Sequence, residues 1–543
     1  MYKSCCLCNI SNMVLDIKNL PENEQISKRQ AISLLSQQEE KYQSQIDYLE
    51  EQLRLLRNEL FGRKSEKPHR EDRDQLPLFA PSPEGQVPLN PDAEDEEISI
   101  ASHKRKKRGR KPFPEHLTRV DVIHDLNDED KMCDCGHQMS RIGQDECEKL
   151  DYIPAKIQVE RHIRYKYACK NCEGVESDGP TIKIAPLPAQ LIPKSNTTPG
   201  LLAHVITSKF VDALPLYRQQ KIFARLGIEL SRSTMSNWVI EASLRCQPLI
   251  DLLQNQIRGG PCINVDETTL QVLKEPGRHD TSKSYMWLYR GGPPDKLALV
   301  YQYAPSRSGQ IAEEFIGDYQ GYIQSDAFAG YNRFEKKPNI RLMGCWAHAR
   351  RKFVEVVKVK KKIRSKRKNT KSLADEAVAF IGQLYRIEKQ AREHELSFEQ
   401  IGRLRQEESL PVLEQFKQWL DEKEPLVPPK SLLGKAIAYS LDNWQRLIVY
   451  VEDGRLKPDN NAAENAIRPF VVGRKNWLFA GHPRGAEASA TFFSLIETAK
   501  ANGLEPYAYL KYIFEQLPLT DEKEYSNLLP QNIDLEATCL PTV

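Results

Sequence analysis

The chain has 543 residues, of which 40% are hydrophobic and 28% are charged. These values are typical of globular proteins, and the length is several times that of a usual domain, so a wholly disordered chain and a single small module are excluded. The 78 Lys and Arg residues nearly balance the 75 Asp and Glu residues, so the net charge of +3 does not by itself indicate a nucleic-acid or membrane partner. The sequence contains no apolar run as long as a membrane span and no signal-peptide core in its first twenty residues. We therefore expect a multidomain cytoplasmic protein with no membrane partner.

A seven-residue apolar repeat lies within residues 25–67. One series of apolar residues recurs every seven positions, and a second series follows it by four, as at the a and d positions of a coiled coil. The two series are Leu35, Tyr42, Leu49 and Leu56, and Ile46, Leu53 and Leu60. We predict a coiled coil that forms a homodimer or a higher oligomer. The alternative is an amphipathic helix packed on its own chain.

The segment at 68–118 combines an acidic, proline-rich stretch with a basic block. Residues 68–100 contain few side chains that could build a core, which predicts a flexible linker. The basic block could bind phosphates without reading a base sequence. Alternatively, it is a solvated tail that the neighbouring acidic run neutralises. Its candidate DNA-binding residues are Lys104, Arg105, Lys106, Lys107, Arg108 and Arg110.

Two pairs of cysteines predict a zinc-ribbon-like domain at 119–182. Cys133 and Cys135 precede a stretch with strand-like alternation, and Cys169 and Cys172 follow it. Cysteine pairs that bracket a hairpin are typical ligands of structural zinc, although the first pair is one residue shorter than the usual spacing. The alternative is four unligated thiols, because the twelve cysteines of this long chain form unequal clusters rather than a disulfide framework.

Helical periodicity returns at 183–258. Gly227 is predicted to end one helix, and Ser231 and Ser233 are good N-caps for the next. The pattern is similar to that of a helix-turn-helix, with Arg232 and Asn237 on the second helix as candidate DNA contacts. The alternative is a helical hairpin that supports the following domain.

The segment at 259–500 has a mixed strand and helix pattern and contains two candidate catalytic aspartates. Asp266 lies within a strand pattern, on the same face as Asn264, and Asp326 ends a later strand pattern. Glu267 should point to the opposite face of the strand. Acids placed in this way are typical of sheets that hold two metal ions for phosphodiester chemistry. Turn formation at the strand ends is the alternative role of the aspartates.

Glu464 is the candidate third acid. It lies in a short predicted helix that Asp459 or Asn460 caps and that Pro469 should end. The alternative role of Glu464 is an ion pair with Arg468 on the same helix, worth roughly a few tenths of a kcal/mol.

The three acids and several flanking motifs resemble those of the DDE transposases of the insertion sequence 66 family. Asp266 lies in Asn-Val-Asp-Glu-Thr, Asp326 in Gln-Ser-Asp-Ala-Phe-Ala-Gly-Tyr, and Glu464 in Asn-Asn-Ala-Ala-Glu-Asn-Ala-Ile-Arg-Pro. Further matching segments, within a resemblance that runs from about residue 25 to 515, are Leu-Arg-Asn-Glu-Leu-Phe-Gly-Arg-Lys-Ser-Glu-Lys at 56–67, Gly-Arg-Lys-Pro at 109–112, Leu-Pro-Leu-Tyr-Arg-Gln at 214–219, Cys-Trp-Ala-His-Ala-Arg-Arg at 345–351 and Gly-Arg-Lys-Asn-Trp at 473–477.

The resemblance implies an α/β multidomain protein whose catalytic domain at 259–500 is ribonuclease H-like. It also implies a helical insertion at about 355–440 and places a C-terminal helical segment and tail at 501–543. In such a domain the three acids would hold magnesium or manganese, with Glu487 as the substitute if Glu464 fails. The cysteine cluster corresponds to the family's zinc-finger-like region, where Met132 stands in place of the expected first ligand.

A basic stretch near the proposed site predicts contact with the DNA backbone. Twelve of the 22 residues at 350–371 are Lys or Arg, and Glu355 is the only acid among them. A plain solvated helix would interleave acids with these cations. The candidate DNA-binding residues of this region and of the segment around Glu464 are Arg350, Arg351, Arg468, Arg474 and Lys475.

Cys345 and His348 have a metal-like spacing of three residues on one helix face. We nevertheless expect His348 to pack in the core with Trp346.

The family's chemistry would make this protein an enzyme that cuts transposon ends and joins them to target DNA. Its partners would be double-stranded DNA, further copies of itself and companion proteins of the same element, and it would associate with the nucleoid. Two rival functions are a DNA-binding regulator with inert acids and a structure-selective nuclease on the same fold.

Overall fold

The structure, a computed structural model, describes residues 157–168, 182–184, 186, 188–363 and 372–533, together with positions 38, 42, 45, 46 and 49. The chain divides into two compact units, one formed by 1–80 with 188–543 and the other by 81–187. Within the described ranges, no helix is both long enough and apolar enough to cross a membrane.

The described part of the 81–187 unit contains a short antiparallel strand pair. Strand β1 (Lys166–Ala168) pairs with β2 (Ile182–Ile184), and Tyr167 lies opposite Lys183. The four candidate zinc ligands and the basic block lie outside the described residues. The zinc site and the phosphate-binding role of the basic block therefore stay predictions.

The five described positions between 38 and 49 are all helical. Three of them belong to the predicted heptad series, and all three side chains are exposed in the single chain: Tyr42, Ile46 and Leu49. The rest of the seam lies outside the described residues, so the coiled coil stays a prediction.

Within residues 188–258, four helices lead to the main sheet: α1 (Pro199–Phe210), α2 (Leu216–Arg225), α3 (Arg232–Arg245) and α4 (Gln247–Arg258). Gly227 adopts a φ of 77° in the turn after α2, a conformation that glycine accepts without strain. The hydroxyl of Ser231 accepts a hydrogen bond from the backbone N–H of Thr234 and so caps α3, as predicted.

The sheet has five strands in the order β5-β4-β3-β6-β7. Strands β3, β4 and β5 form an antiparallel meander, whereas β6 pairs in parallel with β3 and β7 in parallel with β6. Helix α5 (Gly309–Ile316) connects β5 to β6. The strands are β3 (Cys262–Gln271), β4 (Lys283–Gly291), β5 (Ala298–Ala304), β6 (Gly321–Gln324) and β7 (Ile340–Met343).

A helix covers the outer edge of β5. Helix α13 (Pro483–Ala501) places the hydroxyl of Thr498 3.0 Å from the backbone nitrogen of Leu299 and that of Ser494 2.8 Å from the nitrogen of Tyr301. These hydroxyls accept bonds from edge-strand groups that no further strand would satisfy. The last long helix, α14 (Pro506–Gln516), packs against α1.

A helical layer lies between β7 and the segment of Glu464 in the chain. It has its own buried cluster, which includes Trp346, Phe353 and Phe416. One turn of π-helix at Arg405–Ser409 connects its third and fourth helices. The helices are α6 (Trp346–Ile363), α7 (Leu373–Glu393), α8 (Phe398–Leu404), α9 (Leu410–Lys423), α10 (Leu432–Asp442) and α11 (Trp444–Leu447).

Helix α12 (Asn461–Trp477) carries Glu464 and does not end where we predicted. Pro469 lies inside the helix, so the expectation that it ends the helix is wrong. Proline removes one backbone donor, but Ile467 and Phe470 on either side of it are buried. Burial of this apolar face compensates for the missing hydrogen bond and allows the helix to continue.

Candidate active site

The two aspartates lie just beyond the paired part of two neighbouring parallel strands. The last residue pair shared by β3 and β6 is Asn264 opposite Gln324, and each aspartate follows two residues later in its chain. The backbone N–H of Glu267 donates to Asp266 at 2.9 Å, and that of Phe328 donates to Asp326 at 3.0 Å. The predicted strand therefore ends at Gln324 rather than at Asp326 itself.

Glu464 joins the site from the first turn of α12, which packs against β3. Its Oε2 accepts a hydrogen bond from the guanidinium of Arg351 at 3.3 Å. Its Oε1 is 3.7 Å from Nε2 of His348 and accepts no hydrogen bond from any residue that the structure describes. Helix α6 thus presents two basic groups to the carboxylate of Glu464.

The carboxyl group of Asp266 interacts electrostatically with the other two candidate acids. Burial, the charge of Glu267 and the charges of Glu464 and Asp326 together raise the pKa of Asp266 to about 7. The backbone N–H of Glu267 opposes this shift without cancelling it. Glu487, the substitute third acid, is exposed on α13 and does not contribute to this pKa shift.

The buried carboxylate of Glu267 forms an ion pair with the partly exposed Arg307 beside the acids. Nε of Arg307 donates to its carboxylate at 2.7 Å, and the hydroxyl of Tyr331 donates to it as well. The same guanidinium lies 3.9 Å from Asp326 and stacks over the ring of Phe328 at 3.8 Å. Arg307 therefore links Glu267 to Asp326. Sequence reasoning missed Arg307 because it lies 40 residues from Glu267 in the chain.

Cys345 and His348 lie beside Glu464 rather than apart from the acids. One ligand atom from each of the three residues lies within 4.8 Å of the other two. Burial raises the pKa of the Cys345 thiol to about 12, and its sulfur accepts a hydrogen bond from the backbone N–H of Asn460 at 3.2 Å. The protonated thiol accepts a hydrogen bond at the N-cap of α12. To bind a metal ion it would have to lose its proton, because a metal-binding cysteine is a thiolate. Burial also lowers the pKa of His348. Its Nε2 faces Glu464, which differs from the expected core packing.

The donor set fits a hard divalent cation. Carboxylate oxygens are the ligands that magnesium and manganese prefer, and the carboxyl group of Asp266 lies within electrostatic range of those of Asp326 and Glu464. Two further observations are consistent with this fit: burial beside other acids raises the pKa of Asp266, and one buried oxygen of Glu464 accepts no hydrogen bond from a described residue. A bound cation would relieve both.

Most of the candidate DNA-binding residues in the described part of the chain are exposed. Arg474 donates to the hydroxyls of Thr268 and Thr269 at 3.2 Å each, so it lies along β3 just beyond Asp266. Arg350 and Arg474 are half-buried. The exposed candidates are Arg232, Asn237, Arg351, Arg468 and Lys475.

The sequence matches one transposase family over more than half of its length. Residues 194–488 match the profile described as Transposase IS66 family. Shorter segments match further profiles: residues 48–122 match Transposase C of IS166 homeodomain, 130–173 the zinc-finger binding domain of transposase IS66, and 494–531 the IS66 C-terminal element. The zinc-finger match contains all four predicted cysteine ligands.

Three proteins of Sinorhizobium fredii, each named only as an uncharacterized protein, are similar along most of their length. y4jD is 36% identical over 436 residues, which covers 77% of this chain and 81% of y4jD. y4hP is 31% identical over 504 residues, covering 89% of this chain and 88% of its own. y4qI is 31% identical over 449 residues, covering 80% and 79% respectively. With the profile matches, these similarities confirm the resemblance found in the motifs, and the chain belongs to the IS66 transposase family.

Proposed function

We propose that this protein is a DDE transposase that binds the ends of an insertion sequence, cleaves them and joins the freed 3′ ends to target DNA. The observation that supports this most directly is the placement of Asp266 on β3, Asp326 just after β6 and Glu464 in the first turn of α12, with the charges of Asp326 and Glu464 both acting on Asp266. A regulator that only binds DNA would have no need to bury the carboxyl group of Asp266 near the acids Glu267, Glu464 and Asp326, an arrangement that raises its pKa, chiefly through burial.

The catalytic domain that we propose is ribonuclease H-like. In its support, a mixed five-stranded sheet carries two acids beside its parallel strand pair, and a helix packed on β3 carries the third. The helical layer between β7 and α12 corresponds to the family's insertion.

In this proposal Asp266, Asp326 and Glu464 hold two magnesium ions, which when bound activate the attacking oxygen and stabilise the leaving oxygen of a phosphodiester. Arg307 keeps Glu267 neutralised and orients Asp326 through the contacts described above. Arg351 and Arg474 lie where phosphate oxygens of DNA near the acids would meet them. The protein would supply positioning and neutralisation of charge, which are the main requirements of phosphoryl transfer.

The partners follow from the same proposal. Double-stranded DNA of the element and of the target would bind the basic residues, with Arg232 and Asn237 on α3 as further contacts. Pairing of the N-terminal heptads would form a dimer or higher oligomer, zinc would stabilise the cysteine-rich domain, and companion proteins of the element would assist. A protein with these partners would associate with the nucleoid.

The test is a cleavage and joining reaction with DNA that carries the ends of the protein's own element. We expect wild-type protein with magnesium to cleave and join. Asp326→Asn and Glu464→Gln should lose both activities by about 1,000-fold or more while binding the DNA. Glu487→Gln is the matched control and should remain active, since Glu487 is an exposed acid of α13.

Three results would contradict the proposal in different ways. Wild-type protein that binds the ends but neither cleaves nor joins them would be a regulator. Cleavage without joining would indicate the nuclease. Loss of activity in Glu487→Gln with full activity in Glu464→Gln would replace the third acid.

A further inference from the structure

Three buried side-chain amides lie directly behind the three acids. They belong to Asn264, Gln324 and Asn460, whose exposed fractions are 8%, 0% and 2%. Asn264 precedes Asp266 by two residues, Gln324 precedes Asp326 by two, and Asn460 precedes Glu464 by four. Each acid therefore has a buried amide at a short, fixed distance along its own strand or helix.

Asn264 hydrogen-bonds to both of the other amides. Its Nδ2 donates to Oε1 of Gln324 at 2.7 Å and to Oδ1 of Asn460 at 3.0 Å. Its own oxygen accepts a longer bond from Arg290 at 3.4 Å. The side chain thus connects β3, β6 and the start of α12 in one place.

The outer two amides are fixed to the backbone. Nε2 of Gln324 donates to the carbonyls of Lys457 at 2.9 Å and Gly344 at 3.3 Å. Nδ2 of Asn460 donates to the carbonyl of Val265, between Asn264 and Asp266, at 3.0 Å. These bonds fix the orientation of each amide, because reversing Gln324 would place its oxygen against two carbonyls and its nitrogen against the nitrogen of Asn264.

The position of the network matters because the pairing between β3 and β6 stops short of the acids, although β3 stays paired with β4 through Asp266. β3 and β6 share no residue pair beyond Asn264 and Gln324, and α12 cannot be held to β3 by a strand ladder. Buried amides that are fully hydrogen-bonded rigidify their surroundings, and a missing partner is costly at low dielectric. The network therefore sets the spacing of strands and helix at the last point before the acids.

We infer that Asn264, Gln324 and Asn460 are positioning residues that hold Asp266, Asp326 and Glu464 at the separation needed to bind divalent metal. This inference rests on the proposed function of the three acids. The amides themselves lie behind the acids and act through them.

The test measures manganese binding to the full-length protein without DNA, by electron paramagnetic resonance, so that it does not depend on turnover. Gln324→Met keeps the side-chain length and removes the amide. We expect its manganese affinity to fall about 10- to 100-fold, as for other residues that orient metal ligands. Magnesium-dependent cleavage should then need correspondingly more metal.

Gln219→Met is a matched control. Gln219 has an exposed fraction of 2%, and its Nε2 donates to the carbonyls of Val205 and Leu214 at 3.1 and 3.0 Å. It is therefore as buried as Gln324 and makes two bonds of the same kind, but it lies in the helical segment before the sheet. We expect a comparable loss of thermal stability with unchanged manganese affinity.

A second variant keeps the test decisive if Gln324→Met does not fold. Asn460→Ala removes one bond to Asn264 and one to Val265, and combining it with Asn264→Ala should weaken manganese binding little beyond either single change. Wild-type manganese affinity in Gln324→Met and Asn460→Ala, or in Asn460→Ala alone if Gln324→Met does not fold, would overturn the inference but not the proposed function. Wild-type protein that binds manganese but neither cleaves nor joins would instead overturn the proposed function, and the amide variants would still decide the inference.

Discussion

At the scale of single residues, the charge state of Asp266 depends on its neighbours. Its carboxyl group is buried beside Glu267, Glu464 and Asp326, and its pKa is raised from 3.8 to about 7. A raised carboxyl pKa means that the folded protein binds the proton more tightly than the unfolded chain does. The stability that the protonated group provides is therefore present below pH 3.8 and is lost as the pH rises through about 7.

We expect Asp266→Asn to be more stable than the wild type in EDTA at pH 8.5, because asparagine has no charge to bury. One pKa unit corresponds to about 1.4 kcal/mol, so the gain should be on the order of 2–4 kcal/mol. It should grow between pH 3.8 and about 7 and then level off. Urea unfolding across this pH range measures it.

Asp295→Asn is the control for this comparison. Asp295 is exposed in the turn between β4 and β5, so its replacement should change stability little at any pH. A variant Asp266→Asn that is no more stable than wild type at pH 8.5 would show that burying the charged carboxylate of Asp266 beside its acidic neighbours does not destabilise the metal-free protein.

At the scale of elements, a buried arginine fastens the helical layer to the segment that leads to Glu464. Arg405, at the start of the π-helical turn, forms an ion pair of two hydrogen bonds with Glu388, at 2.7 and 2.8 Å. It also donates to the carbonyls of Tyr450, Asp453 and Leu456, each at 2.8 Å. Its side chain satisfies three carbonyls shortly before Asn460, so the helical layer helps to place the start of α12.

We expect Arg405→Met to reduce the free energy of unfolding by about 3–5 kcal/mol, because it leaves a buried carboxylate without its partner. Arg405→Lys should also be less stable than the wild type, although it keeps the positive charge, since an ammonium cannot make the paired bonds of a guanidinium. Replacing Glu388 as well, in Arg405→Met with Glu388→Met, should recover part of the loss. Urea unfolding measures all three variants.

Arg403→Met provides the control, because Arg403 is exposed on the preceding helix α8. Its replacement should change stability by less than about 0.5 kcal/mol. If Arg403→Met and Arg405→Met lost equal amounts of unfolding free energy, the pair between Arg405 and Glu388 would not hold the helical layer.

At the scale of the whole molecule, the net charge of +3 conceals a separation of charges. Acids gather in the linker at 68–100, whereas cations gather in the block that follows it and at 350–371. Exposed cations lie on α6, whose Arg351 contacts Glu464, and on α12, which carries Glu464, so a polyanion could bind them there. The local distribution of charge, and not its sum, therefore favours DNA as the partner.

We expect Lys475→Ala to weaken binding to DNA of any sequence and to reduce the slope of log affinity against log salt by about 0.9, the value for one phosphate contact. The measurement is fluorescence anisotropy at several salt concentrations with end DNA and with an unrelated duplex. Lys511→Ala, which removes an exposed lysine of α14, is the control and should keep the wild-type slope. An unchanged slope in Lys475→Ala would remove Lys475 from the interface.

The sequence by itself determined the features that depend on residues close to one another in the chain. Periodicity predicted α3 with Ser231 and Ser233 as its candidate N-caps, of which Ser231 is the N-cap, and the motifs around Asp266, Asp326 and Glu464 identified the family. These signals are readable because neighbouring residues generate them: strand alternation, N-cap chemistry and charge runs act within a few positions.

Only the tertiary structure decided which distant groups meet. Arg307 contacts Glu267, and His348 faces Glu464. Asn264 hydrogen-bonds to Gln324 and to Asn460, which lies 196 residues further along the chain. Pro469 remained within α12 because apolar burial on both sides outweighs one lost hydrogen bond, and local propensity cannot show that burial. Folding sets these contacts through packing and desolvation, which depend on the whole arrangement of strands and helices and leave no periodic pattern in the sequence.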